Sequence, residues 1–406
     1  MTTQADTVEF DPFSDDYFTG AWSTYKRLRD EAPLYRNDKW DFWALSRYED
    51  VAAAYKDTAT FSSAKGATLD MHVSEEKLIT VTPVIIHLDP PEHQVLRNLV
   101  NKVFTPRAIA ALEEKVVDIV GRTLGAVDAD AGFDLVQDFS ALFPIEVITT
   151  MLGVPQEDRE QIRHWLDQMM ERRPGSIEMT PEGLQSAYDM GLYYYSLIGR
   201  KRQDLGDDMI SGLIRAEVER DGEKVSLDDI EIAMFTSMLG GAGAETVTKL
   251  VANALVLFAD HPEQWQQLRG DRDKIPDAVE EALRMEGPSQ YNVRSLTRDI
   301  EIHGTTLPKD TTMLLMNGAA LRDDRMYDDP DTFDINRIRP NGPNIAFGYG
   351  AHSCLGAALA RLESRIAFNA LLDLLPHFEI DRAGLQRVRM ANVFGWQNVP
   401  IRRVSG

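Results

Sequence analysis

"FGYGAHSCLG", Phe347 to Gly356, holds the one cysteine of a 406-residue chain and surrounds it with three glycines and a histidine. A single thiol cannot close an internal disulfide, so Cys354 is a buried structural thiol, a nucleophile or a metal ligand. Gly348 and Gly350 permit a tight backbone, and the apolar run "LGAALARLESRIAFNALLDLL" reads as a buried helix after it. That places Cys354 at a helix N-terminus, where free N–H groups and the macrodipole favour an anionic sulfur and lower its pKa. A nucleophile needs a base in reach, and His352, two residues away on a glycine-rich turn, is poorly placed to share the proton. Zinc fares worse: the eight histidines and one cysteine form no H-E-x-x-H or C-x-x-C spacing. Ser353 stands where a dinucleotide fingerprint needs its last glycine. What remains is one thiolate on a metal held mainly by something else. Haem fits, since its macrocycle supplies four ligands and the protein need supply one.

Composition is that of a soluble globular protein, 43% hydrophobic and 27% charged. The polar, acidic start "MTTQADTVEF" has no basic region or apolar core, and no apolar run nears the roughly 20 residues of a membrane span, so a cytoplasmic, unanchored protein is expected. A formal charge of -22 argues against nucleic-acid binding, which neutralises phosphates with Lys and Arg. "PLYRNDKWDFWALSRY" reads as strand, turn, strand; from Pro106 onward helical periodicity dominates. The expectation is a mainly α fold with a minor β-sheet region, residues 1–10 disordered and residues 11–406 one domain, a monomer.

The loop matches F-G-x-G-x-H-x-C-x-G in every fixed position, and on it the chain resembles the cytochrome P-450 family. "DPPEHQVLR", "GGAGAETVTK", "EEALR", "NVRSLTRD" and "LRDDRMYDDPDTFDINR" agree in the family's order. The resemblance implies haem b (iron protoporphyrin IX) with Cys354 on the iron, in a loop that includes Phe347 and Gly356. It implies that His93, Arg97, Arg294 and His352 meet the haem propionates, as buried carboxylates need charged or hydrogen-bonding partners. Four small residues in mid-helix, Gly241 to Ala244, mean that something approaches the backbone closely: a packing notch, or the family's oxygen-activating kink, with Ala242 and Gly243 against the haem. Splitting O2 heterolytically consumes two protons, so Thr246 and Glu245 are the candidate alcohol and acid. Glu281 and Arg284, one turn apart, resemble the family's buried pair, with Arg337 as a third, structural member.

The implied reaction inserts one oxygen atom of O2 into a hydrophobic small molecule such as a steroid, terpenoid, fatty acyl or polyketide-like compound. Electrons come indirectly from NAD(P)H through a separate ferredoxin and ferredoxin reductase, since the chain shows no flavin or iron–sulfur module. A peroxide-using peroxygenase of the same fold would not need Glu245 and Thr246; a haem-binding sensor without turnover is the other alternative. Agreement with the family is weakest at 61–82 and 163–195, so the pocket is expected from 61–86, 169–195, Val293 and Phe394. Lys102, Arg107, Arg361 and Arg365 are expected on the face that meets the redox partner.

Overall fold

The stretch from Asp229 to Asp260 is one unbroken 32-residue helix in the computed structural model, which describes residues 8–73, 84–101, 104–173, 176, 178–220, 222–390 and 392–405. A reciprocal cap starts it: the Glu231 N–H donates to Asp228 Oδ1 (2.7 Å) and the Asp228 N–H to Glu231 Oε2 (2.9 Å), satisfying two donors that have no partner within the helix. It is long and apolar enough to cross a membrane, but 78% of its apolar stretch is buried inside the fold. Helices Phe143–Leu152, Pro181–Lys201, Ile275–Glu286 and Ala357–Leu374 surround it, as an all-round apolar helix requires.

This central helix joins two apolar clusters. Up to Ala244 it packs with Ile148, Leu166, Tyr194, Leu99 and Val100; from Val247 it packs with Leu283, Leu359, Phe368 and Leu371. Glu245 and Thr246 sit at the join. Leu355, next to Cys354, packs against the first cluster, and this brings the cysteine loop towards the same stretch of helix.

The strand, turn and strand read from the sequence are Leu34–Asn37 and Phe42–Leu45, turned through Asp41 at φ 51°. They open a five-stranded sheet: Phe42–Leu45 runs parallel to Thr312–Leu315, which pairs antiparallel with Asn292–Leu296, and Phe61–Ser62 closes the far edge. Strand residues alternate between faces. Val293 therefore enters a third cluster with Phe10, Tyr17, Tyr25 and Phe42, while its neighbour Arg294 turns the other way.

Candidate active site around Cys354

Two glycines set the loop. Gly348 has φ 67° and ψ −170°, a region essentially closed to other residues. Gly350 has φ 72°, and a Cβ there would lie 2.6 Å from the Tyr55 carbonyl oxygen. The Cys354 N–H donates to the Phe347 carbonyl at 2.8 Å and closes the turn. The following helix begins at Ala357 with Gly356 as its cap, so Cys354 stands two residues before the cap and not in the first turn. This changes its electrostatics. The thiol is accessible yet enclosed by protein, as a side chain opening into a narrow internal cavity would be. Burial pushes its pKa up; the Gly356 N–H and the charges of Arg97 and Arg361 pull the other way and lose. The lowered thiol pKa expected from the sequence is thus overturned in the bare chain, and a cation at the sulfur is what would reverse the balance.

Beside the loop lies a cluster of positive and imidazole groups. The His93 and His352 rings are 4.1 Å apart, and His93 Nδ1 and His352 Nε2 are buried without a hydrogen-bond partner. Burial, then His93, Arg294 and Arg97, push the His352 pKa down to about 3, against a backbone bond at Leu88. Burial also lowers the pKa of Arg97 and of Arg294. Arg294 donates to the Val293 carbonyl (2.7 Å) and lies 5.7 Å over the Tyr55 ring. The nearby carboxylate of Asp89 is already held by Ser62 and by the Ser63 N–H. Among the described residues, none of the four is within ion-pair distance of a carboxylate. In a chain with 65 acidic residues against 43 Lys and Arg, that arrangement calls for an anion from outside. Two haem propionates fit it.

The central helix carries the candidate alcohol and acid. The helix runs unbroken through Glu245 and Thr246. The glycines answer to packing: a Cβ on Gly240, Gly241 or Gly243 would lie 3.1 to 3.2 Å from Tyr194 Oη, Leu166 Cδ2 or Ile148 Cγ1. A side chain on Gly243 would thus run into Ile148. Ala242 stays exposed and Thr246 half-buried, with the Thr246 hydroxyl donating back to the Ala242 carbonyl at 3.1 Å. Glu245 is buried, and its Oε2 lies 3.2 Å from Lys249 Nζ without an aligned hydrogen bond.

Glu281 and Arg284 make two parallel bonds of 2.8 Å. Arg284 also donates to the carbonyls of Leu321, Pro330 and Thr332. Arg337 donates to Glu281 Oε1 at 3.1 Å and to the carbonyls of Asp328, Asp329 and Thr332. A small cleft lined by this network shares no lining with the Cys354 loop, and its ionic walls suit bracing better than catalysis.

Other expected residues lie elsewhere. Val293 (0% exposed) and Phe394 (2%) face no open cavity: Val293 belongs to the N-terminal cluster, and Phe394 packs 5.2 Å from the Trp22 ring and under Arg387. Arg361 bonds Glu280 at 2.5 Å and lies 4.5 Å over the Phe347 ring, and Arg365 bonds Glu113 at 2.8 Å. Both charges are met inside the chain, so they are not the free docking cations expected. Arg107 is exposed; Lys102 lies outside the described residues, as do parts of 61–86 and 169–195. Lys249 was missed, although a lysine inside "TVTKLVANALVL", four residues after Glu245, was a visible signal. The pair Asp70 and Arg172, 3.0 Å apart and largely buried, had no sequence signal.

Comparison with known proteins gives one family. Residues 39–394 match the family model of cytochrome P450. A putative cytochrome P450 123 of Mycobacterium tuberculosis is 38% identical over 391 residues, 96% of each chain. The erythromycin C-12 hydroxylase of Saccharopolyspora erythraea is 34% identical over 383 residues, 92% of each chain. The structure of CYP109E1 from Bacillus megaterium in complex with corticosterone superposes with a TM-score of 0.83 at 30% identity, covering 96% of this chain and 100% of that one.

Proposed function

Because the chain belongs to the cytochrome P450 family and is a haem-dependent monooxygenase, we propose that it oxygenates a medium or large hydrophobic molecule, steroid, terpenoid, fatty acyl or polyketide-like, in the cytoplasm. Its electrons come from NAD(P)H through a separate ferredoxin and ferredoxin reductase, and residues 11–406 act as one catalytic domain. The observation that carries this reading is the cluster of His93, Arg97, Arg294 and His352, desolvated and without a carboxylate, beside an accessible thiol. Relatives that hydroxylate erythromycin or bind corticosterone support a bulky apolar substrate.

In this reading Cys354 holds the iron, the four basic groups hold the propionates, and the Gly356 N–H supports the sulfur. Haem, when bound, supplies the oxidising power that splits O2 and takes hydrogen from an unactivated C–H bond. The chain does the positioning. The Thr246 hydroxyl exchanges its bond to the Ala242 carbonyl for one into the cavity, and Glu245 behind it supplies the proton. Ala242, exposed on the same helix face, leaves the substrate room. Glu245 and Thr246 favour O2 over peroxide as the oxidant.

Cys354→Ser tests the assignment. The reduced carbon monoxide complex should lose the long-wavelength absorption band of thiolate ligation. An unaltered band overturns it. A compound screen for shifts of the ferric haem band identifies the substrate class, and Thr246→Ala should bind substrate normally yet release mainly hydrogen peroxide.

A further inference from the structure

On the helix Arg159–Met170, Asp167 combines two opposed properties. Its side chain is 51% exposed, yet it is not solvated as an acid on the outer surface would be. Burial, then the charge of Glu245, raise its pKa, and Arg163, Lys249 and His164 oppose this and lose. Accessible and desolvated at once is the condition of Cys354 as well, and it marks a side chain that opens into an internal cavity. The neighbours say which one. Leu166, the residue before it, is what a Cβ on Gly241 would meet at 3.2 Å. Glu245, whose charge reaches Asp167, adjoins Thr246, which is half-buried, and Ala242 one turn earlier is exposed.

The acceptor capacity of Asp167 is unmet. An ionised carboxylate offers about four lone-pair sites on its two oxygens. Among the described residues one cation is in reach, Arg163 Nη1 at 3.5 Å from Oδ2, without an aligned hydrogen bond, and neither oxygen accepts a hydrogen bond from any other group. Lys249 is turned to Glu245, 3.2 Å away. We propose that Asp167 determines specificity: the substrate is a hydrophobic molecule that bears a protonated amine, whose N–H donates to the Asp167 carboxylate while the apolar body lies along Ala242 and Thr246. This deepens the proposed function and rests on it, because it selects, among bulky apolar molecules, those that carry a cation. A substrate carboxylate would instead add a third negative charge beside Asp167 and Glu245, which disfavours free fatty acids.

Three probes of one chain length test this on the purified holoenzyme: N,N-dimethyldecylamine, which is protonated at neutral pH, 1-decanol and decanoate. Equilibrium dialysis reads binding, and a shift of the ferric haem band reads whether the probe reaches the oxygenation cavity. The wild-type protein should bind the amine about tenfold more tightly than the alcohol, as expected of one hydrogen bond between charged groups, and decanoate more weakly than either. Asp167→Asn should remove the advantage of the amine and leave the affinity for 1-decanol unchanged; Asp167→Lys should reverse the order of amine and decanoate. The preference should survive about 1 M salt, where charges in open solvent are screened beyond about 3 Å; this separates an enclosed pair from adsorption of cations onto a chain of charge -22. Equal affinity for amine and alcohol, a preference that persists in Asp167→Asn or vanishes with salt, or failure of all three probes to bind overturns the proposal. An Asp167-dependent preference with no shift of the haem band by any probe overturns the underlying reading of the cavity instead.

Discussion

The cysteine loop with its bracing network and the central helix are fixed to different degrees. On the first, Arg284 and Arg337 converge on Glu281, and between them their guanidinium groups bind the carbonyls of Leu321, Asp328, Asp329, Pro330 and Thr332. The loop itself is set by two glycines in left-handed conformations. On the second, Thr246 makes one bond to its own helix and Glu245 one ion pair. A ligand sulfur must not move, whereas an acid that hands on protons must. The number of bonds per residue follows that division.

Removing a brace from the cysteine side should have the largest effect. Arg284→Leu leaves Glu281 buried, with Arg337 and the Asp334 N–H still on it but its bidentate partner gone. Breaking a buried pair this way costs about 3–5 kcal/mol. Denaturant unfolding should show that loss, and purified protein should carry little haem. A variant of wild-type stability would mean that the network is redundant, and the contrast between the two sides would fail.

Gly350→Ala comes next. The new Cβ meets both a left-handed backbone and the Tyr55 carbonyl, for a loss of about 2 kcal/mol from the conformation alone. The control is Gly191→Ala, where the helix leaves open space and alanine should stabilise by about 0.5–1 kcal/mol. Calorimetry of the two variants reads the difference in sign.

These two sites also show what a sequence can disclose. Gly348 and Gly350 were legible because left-handed backbone admits few other residues, and Glu281 with Arg284 because three residues make one helical turn. Gly241 to Ala244 were ambiguous, since a small residue serves a packed neighbour and an approaching ligand equally; Leu166 and Ile148, which a Cβ on Gly241 or Gly243 would meet, are distant in sequence. The Cys354 thiol was misjudged because helix position is local and desolvation is not. Val293 was a different kind of miss. It adjoins Arg294 in a strand, so the two could not face one cavity, and the period of two already said so.

Away from both regions, Asp70→Asn should remove the ion pair to Arg172 and leave the helices standing. Arg172 keeps its bonds to the Met169 and Glu171 carbonyls, so the stability loss should be about 1 kcal/mol and haem content unchanged. Denaturant unfolding reads the loss, and a fall in haem content would show that the pair also supports the cysteine loop.

The smallest expected effect concerns how electrons reach the cysteine side. Ferredoxins are usually acidic, and this chain carries a formal charge of -22, so docking depends on local cations. Arg361 and Arg365 are committed to Glu280 and Glu113. Arg107 is exposed on the short helix Pro106–Ala110, and among the described residues no acid is within ion-pair distance of it. Arg107→Glu should slow ferredoxin-driven turnover about threefold at low salt and hardly at all at high salt, because exposed charges are screened beyond about 10 Å at 0.1 M. Peroxide-driven turnover of the same substrate should not change. Arg365→Glu behaves differently: it sets two carboxylates against each other at Glu113, so both routes should decline together. If Arg107→Glu also slows both routes alike, or ignores salt, its role is in folding, and the partner docks elsewhere.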